Sequence, residues 1–373
     1  MRYLTPYIEA DLKKKMVFLG GPRQCGKTTL AKMLLKKLPG KYLNWDSRED
    51  QRLILSEGWT ADERLIVLDE IHKHPKWKNM VKGMYDTTKE EHDFLVTGSA
   101  RLDVYRRGGD SLLGRYHYWR LHPFTLDELP AGIDPAEGFE RLLKVGGFPE
   151  PFLDNDVRES RRWREERYDR IIRDDIRDLE NFKNVQQMDL LLQLLRERVG
   201  GMINVANLAR DVQVSAVTVA RWIEIFEKMY VVFRVTPYAK KLPRALVKPF
   251  KIYFFDNADV IGDEGVKLEN LVATHLLKRT QFLQDFRGEK WNLHYLRDKE
   301  HREVDFVILR DGVIQEMIEV KWQETAPSKA LTYFGEKLKA PKLTQLVGRG
   351  TNNYRQGAFQ LQSVLSYFKR PVW

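Results

Sequence analysis

The segment Gly21-Pro22-Arg23-Gln24-Cys25-Gly26-Lys27-Thr28 constrains this chain more than any other. It fits G-x-x-x-x-G-K-[ST], a loop that wraps nucleotide phosphates. Met16-Val17-Phe18-Leu19 before it is an apolar run of strand length, and Thr29 to Leu35 after it has helical spacing. Gly21 and Gly26 permit backbone angles that a side chain forbids, so successive N–H groups can turn inward around phosphate oxygens. The helix start adds the positive end of its dipole. Lys27 can reach the β and γ phosphates, and the Thr28 hydroxyl can ligate Mg²⁺. The bland alternative is a plain strand-to-helix turn. The preferred reading places ATP and Mg²⁺ on Gly21, Pro22, Arg23, Gln24, Cys25, Gly26, Lys27, Thr28 and Thr29. Cys25, beside Lys27 and the helix start, is expected to be a reactive thiol that bound ATP protects.

A second apolar run, Leu65-Ile66-Val67-Leu68, ends in Asp69-Glu70. In this reading Asp69 holds Mg²⁺ and Glu70 polarises the attacking water. Two more strands are predicted, at 41–46 and 94–99. An extra strand between the loop and the acidic strand, with Glu beside Asp, marks the branch that includes AAA+ and RecA-like motors. Ser99 is placed like the sensor of the γ-phosphate. Alternating strands and helices imply a parallel sheet with the ligand at the carboxyl ends of its strands.

Further motifs follow in order: Asp69-Glu70-Ile71-His72-Lys73-His74-Pro75-Lys76-Trp77, Thr97-Gly98-Ser99, Ser111-Leu112-Leu113-Gly114-Arg115, and His122-Pro123-Phe124-Thr125-Leu126-Asp127-Glu128-Leu129. Together they resemble one group of archaeal and bacterial AAA+ ATPases in which a domain of unknown function follows the ATPase. The resemblance implies a ring, expected to be a hexamer, with ATP at subunit interfaces. Such an interface needs a cation from the neighbour. Arg115 is the candidate finger, with Arg101, Arg106 and Arg107 as competitors; the alternative for Arg115 is a surface pair with Asp110. Gly146-Gly147-Phe148-Pro149 resembles a lid element of the same group, or is a turn between helices.

The chain has 373 residues, enough for two or three domains, with 43% hydrophobic and 31% charged residues. No apolar stretch is long enough to span a bilayer, and Met1 to Leu12 lacks the apolar core of a signal peptide. A single cysteine allows no internal disulfide, so a cytoplasmic location and no membrane partner are expected. The net charge of +10 is compatible with a polyanionic partner.

Residues 157–179 read as an arginine-rich helix. Arg161, Arg162, Arg164, Arg167 and Arg170 could track a phosphate backbone, but the mixed signs favour a solvated face. Residues 189–235 read as helix, helix, turn, helix, strand, the order of a winged helix. Ser215 is the predicted N-cap of the third helix. Val219, Trp222, Ile223 and Phe226 mark its buried side, leaving Thr218 and Arg221 for a DNA groove. Winged helices also serve as protein-interaction modules. Lys240, Lys241, Arg244, Lys248 and Lys251 follow as a basic run that adds weight to DNA.

In the last third, Glu269 lies in a helical stretch, Asp305 in one predicted strand, and Glu319 and Lys321 on one face of the next. This set resembles the D-x(n)-E-x-K signature of the PD-(D/E)xK nuclease superfamily. The resemblance implies that Asp305 and Glu319 bind a metal, that Glu269 assists, and that Lys321 orients or activates water. A retained fold acting only as a DNA or protein adaptor is the alternative.

The expected architecture is therefore α/β: an AAA+ parallel-sheet ATPase core (1–123), a helical lid and charged connector (124–185), a winged helix (186–240) and a nuclease-like domain (241–373). The expected function is ATP-driven translocation on, or remodelling of, duplex or branched DNA, with metal-dependent cleavage left open. The rival is an ATP-gated signalling or assembly switch with an inactive adaptor domain.

Overall fold

The apolar runs Met16–Leu19 and Leu65–Leu68 become strands of one parallel sheet in the computed structural model, which describes residues 2–98, 112–171, 185–239, 249–324, 326–350 and 353–369. The chain divides into two compact units, Met1–Pro123 with Lys228–Tyr230, and Phe124–Glu227 with Val231–Trp373.

In the first unit, α1 (Thr5–Leu12) precedes β1 (Met16–Gly20), α2 (Lys27–Leu35), β2 (Gly40–Asn44), α3 (Arg48–Leu55), β3 (Leu65–Asp69), α4 (Trp77–Thr88), β4 (Asp93–Thr97) and β5 (Tyr116–Arg120). The strand order is β2-β3-β4-β1-β5 with every neighbour parallel. All residues of β1, β3 and β4 are buried, as a sheet covered on both faces requires. Phe18, Ile66, Leu68, Phe94 and Val96 pack with Trp77, Val81 and Met84 of α4. This order puts the carboxyl ends of β1 and β3 on either side of β4, so the loop and the acidic pair meet.

The second unit runs α5 (Pro135–Lys144), α6 (Pro149–Asp154), α7 (Val157–Arg170), α8 (Val185–Arg196), β6 (Met202–Ile203), α9 (Val205–Val212), α10 (Ala216–Lys228), β7 (Val232–Pro237) and β8 (Phe250–Phe254). The long helix α11 (Glu264–Arg287) follows, then β9 (Trp291–Arg297), β10 (Glu303–Arg310), β11 (Val313–Gln323), α12 (Lys329–Leu338), β12 (Leu343–Arg349), β13 (Tyr354–Gln356), β14 (Phe359–Ser363) and α13 (Val364–Phe368). One nine-stranded sheet joins them in the order β13-β14-β12-β11-β10-β9-β7-β8-β6. The join between β7 and β9 is parallel, through Thr236–His294 and Pro237–Tyr295. The expected boundary at 240/241 thus falls within a continuous sheet, in a connection outside the described residues.

α11 packs against β8, β9 and β11. Leu331 and Phe334 of α12 close a core with Val307, Leu309, Met317 and Leu343. α11 also anchors the Phe124–Leu129 motif. Lys278 Nζ donates to Glu128 Oε2 at 2.8 Å and to Thr125 Oγ1 at 2.6 Å, and His275 Nε2 accepts from Leu126 N–H at 2.8 Å. Burial lowers the His275 pKa to about 4, so the ring is neutral and able to accept. Gly146 has φ +82, and a Cβ there would lie 1.7 Å from Asp256 Oδ1, so that turn needs glycine.

The arginine-rich helix corrects one expectation. Arg161, Arg162 and Arg170 are exposed, but Arg167 is 2% exposed and its guanidinium lies 4.0 Å from the Phe148 ring centre. Its planar cation stacks on aromatic faces instead of facing solvent. Among the described residues, no helix is long and apolar enough to cross a membrane.

Candidate nucleotide site and a buried carboxylate cluster

The loop after β1 adopts the backbone its glycines permit. Gly21 has φ 137 and Gly26 φ 97. A Cβ on Gly21 would lie 2.3 Å from the Leu121 carbonyl oxygen, so the close approach also excludes larger residues. Lys27 is buried and its Nζ donates to Gly21 O at 3.0 Å and Pro22 O at 2.6 Å. These acceptors are neutral carbonyls of the loop itself. Gln24 is exposed and Pro22 is buried in the loop, and Thr29 is exposed in the first turn of α2.

Thr28 and Asp69 are brought together. Thr28 Oγ1 donates to Asp69 Oδ2 at 3.1 Å, and Thr97 Oγ1 donates to Asp69 Oδ1 at 2.6 Å. Tyr42 on β2 also donates its hydroxyl to Asp69 Oδ2. A hydroxyl and a carboxylate side by side at the loop are hard oxygen donors of the kind Mg²⁺ takes, so the residues present fit that ion. Burial, then the bond to Asp69, raises the Tyr42 pKa, so the phenol stays a donor. Tyr42 was not legible as a site residue, because no motif marks it.

Glu70 follows at the strand end with φ 56, its N–H donating to Thr97 O at 3.0 Å. Burial raises its pKa, against the pull of Lys73 and Lys27. Glu70 Oε2 lies 3.5 Å from His72 Nε2 and 3.7 Å from Lys73 Nζ, and Lys73 also binds Asp46 at 2.6 Å. The predicted general base is thus held in a charged bracket.

Cys25 departs from expectation. It is fully buried, its Sγ 3.5 Å from Leu121 O, and Arg2 donates to the Cys25 carbonyl at 2.6 Å and to His122 O at 2.5 Å. A thiol enclosed this way is not presented to an alkylating reagent.

Arg115 forms a two-pronged pair with Asp86, Nε–Oδ1 2.7 Å and Nη2–Oδ2 3.0 Å. Its carbonyl accepts from Met16 N–H, at the amino end of β1. The phosphate loop is at the other end of that strand, about 16 Å away at ~3.3 Å per residue. Arg115 therefore cannot serve its own chain's loop. Ser99, Arg101, Arg106, Arg107 and Asp110 lie outside the described residues.

In the second unit, Glu269, Asp305, Glu319 and Lys321 come together, with additional partners. Lys321 Nζ lies 2.8 Å from Glu319 Oε1, and Val320 N–H donates to Asp305 Oδ2 at 2.8 Å. Tyr253 donates to Glu269 Oε1 at 2.6 Å. Lys251 Nζ stands 2.7 Å from Glu303, 3.2 Å from Glu269 and 3.8 Å from Asp305. Burial, reinforced by Asp305, raises Glu269 and Glu319 to about 7. Glu319 Oε2 is buried without a hydrogen-bond partner.

Lys251 is 2% exposed, so it does not belong to a DNA-facing basic run. Its amine is drawn inward by three carboxylates. Lys240, Lys241, Arg244 and Lys248 lie outside the described residues. Among the described residues, no group of three or more His, Cys, Asp or Glu side chains is arranged to hold a metal ion. The residues here therefore do not fit a preformed metal centre.

On α10, Ser215 Oγ accepts from Thr218 N–H at 3.1 Å, the predicted N-cap. Val219, Trp222, Ile223 and Phe226 are buried, Thr218 is half-buried and Arg221 is exposed. β6 and β7 flank β8 antiparallel.

Residues 13–130 match a family described as an AAA domain. Residues 136–259 and 264–367 match two families described only as domains of unknown function, DUF8612 and DUF4143. An uncharacterized protein of Mycobacterium tuberculosis is 26% identical over 243 residues, 65% of this chain and 54% of that one. The chain thus spans about half the length of such curated relatives. An uncharacterized protein of Methanocaldococcus jannaschii is 24% identical over 369 residues, 89% of this chain and 80% of that one. Among solved structures, the Aeropyrum pernix Orc1 protein in complex with DNA is similar over 74% of this chain and 92% of that chain, at 14% identity and a TM-score of 0.33. A likeness at that score carries no argument. Residues 13–130, which match the AAA domain, hold the five-stranded parallel sheet and bring Thr28 of the phosphate loop onto Asp69.

Proposed function

We propose that this protein is an ATP-hydrolysing AAA+ machine that assembles into a ring and moves along or remodels duplex or branched DNA. The observation that carries the ATPase part is the hydrogen bond of Thr28, next to Lys27 in the chain, to Asp69, which immediately precedes Glu70. In this reading the loop N–H groups and Lys27 bind the β and γ phosphates, Lys27 exchanging its two carbonyls for phosphate oxygens. Mg²⁺, held by Thr28 and Asp69, would neutralise phosphate charge. Glu70 takes a proton from the attacking water, and Lys73 with His72 holds its carboxylate in place. Arg115 leaves Asp86 to serve a neighbouring subunit's nucleotide, and Ser99 senses the γ-phosphate.

The DNA part rests on the net charge of +10 and on the α8–α9–α10 and β6–β8–β7 arrangement, which we read as a winged helix. Thr218 and Arg221 on α10 would face the groove. The second unit contributes engagement, and no cleavage step is assigned to it, because Lys251 stands among its carboxylates. A salt titration of binding to duplex and junction DNA tests the partner. Affinity should fall steeply with salt, and no binding at low salt would favour an ATP-gated assembly switch with an adaptor domain.

A further inference from the structure

The carboxylate cluster has the residue types of a divalent-metal site, yet the chain's own amine stands in it. Lys251 lies on β8 within ion-pair reach of Glu303, Glu269 and Asp305, on β10 and α11. The same face of β8 presents Tyr253, whose hydroxyl donates to the same Glu269 oxygen. On the other side, a Cβ on Gly200 would lie 3.0 Å from Glu269 Oε1, so the backbone before β6 packs against that carboxylate. Glu269 is thus engaged by an ammonium, a phenol and a close glycine. On β9, Arg297 Nη1 takes Glu303 Oε2 at 2.7 Å, and the Tyr295 ring centre lies 5.6 Å from Lys251 Nζ. Lys321 takes Glu319. Glu269, Glu303, Asp305 and Glu319 therefore face Lys251, Arg297 and Lys321.

We propose that Lys251 is the resident cation of this cluster, holding from within the chain the place a divalent ion would take, so that the second unit takes up no divalent metal. A metal ion entering between Glu269 and Asp305 would stand beside the ammonium and be repelled by it. Displacing the ammonium would strand a charge inside the fold, which is strongly unfavourable. The cluster instead ties β8 to α11 and β10, joining the part read as a winged helix to the rest of the sheet. Without a Lewis acid beside it, Lys321 has no polarised water to orient. Exclusion of a divalent metal from this cluster depends neither on ATP turnover nor on DNA binding.

The test is Mn²⁺ binding to nucleotide-free full-length protein, followed by loss of the free-ion electron paramagnetic resonance signal. Wild type, Asp305→Asn and Lys251→Arg should retain equal amounts of Mn²⁺. Lys251→Met should retain roughly one further ion per chain at about 0.1 mM, a concentration typical of carboxylate-rich sites. Wild-type binding that Asp305→Asn lowers would overturn the proposal. So would a folded Lys251→Met protein that binds no more than wild type. If Lys251→Met does not fold, wild type against Asp305→Asn decides: equal binding, with no Mn²⁺-dependent rise in melting temperature that Asp305→Asn removes, supports the proposal, and such a rise contradicts it.

Discussion

Tyr42→Phe isolates the hydroxyl that holds Asp69 from the side of β2. The substitution removes one donor and leaves the ring in place. Asp69 is 5% exposed and accepts from Thr28, Tyr42 and Thr97. A hydrogen bond to a charged acceptor is worth about 1.5–3 kcal/mol. Tyr42 is only half-buried, and two hydroxyl donors remain, so the lower end applies. About 1.4 kcal/mol corresponds to roughly tenfold in kcat/KM. If Tyr42 fixes Asp69 for the Mg·ATP complex, kcat/KM for ATP should fall by about that factor. The loss should shrink as Mg²⁺ is raised, because a less well held carboxylate is first felt as weaker metal affinity. Because its pKa is raised by burial and by Asp69, Tyr42 stays protonated and the loss should not vary between neutral and mildly alkaline pH. Steady-state ATPase assays over a Mg²⁺ series measure all of this. Unchanged kcat/KM at limiting Mg²⁺ would refute the role given to Tyr42.

Other outcomes follow from the same geometry. Glu70→Gln should bind ATP normally and lose roughly 10²–10⁴-fold in turnover, measured by equilibrium binding beside single-turnover hydrolysis; near-normal turnover would remove it as the base. Arg115→Ala and Glu70→Gln subunits, each nearly inactive, should regain activity when mixed if Arg115 acts across an interface; additive inactivity would place the finger elsewhere. Glu269 and Glu319 sit near 7, above the ordinary 4.5, through burial and then Asp305. The native state therefore holds protons that the unfolded chain has already released, and these groups lower stability as pH rises from about 4.5 to 7, with no further loss above. Urea unfolding of wild type and Glu319→Gln across that range checks the sign: the substitution should flatten the slope.

The parts of this molecule that were legible in the sequence are those whose meaning is local. The loop at Gly21–Thr28, the acidic pair after Leu65–Leu68 and the capped helix after Ser215 each carry their own spacing or turn chemistry. The cluster of Glu269, Asp305, Glu319 and Lys321 was legible as a set of spacings, but its centre was not. Lys251 read as one charge in a basic run, because nothing around it in sequence indicates that three carboxylates from elsewhere surround it. Tyr42 was hidden for the same reason: its partner is 27 residues away. Arg167 read as solvated because the helix mixes Arg with Glu and Asp, whereas the Phe148 ring takes its guanidinium in. Cys25 read as reactive from its helix-start position, and only the return of Arg2 and Leu121 over it explains its burial. Local periodicity gives the element; the long-range partner decides what a charged or polar side chain does there.

Coupling of ATP turnover at the loop to DNA is read out by the steady-state ATPase rate of the full chain at low salt with single-stranded, duplex and four-way-junction DNA. Duplex or junction DNA should stimulate the rate, and the stimulation should be lost in Lys27→Ala and reduced in Arg221→Ala. An ATPase rate indifferent to all three DNAs, with no DNA bound at low salt, would contradict it.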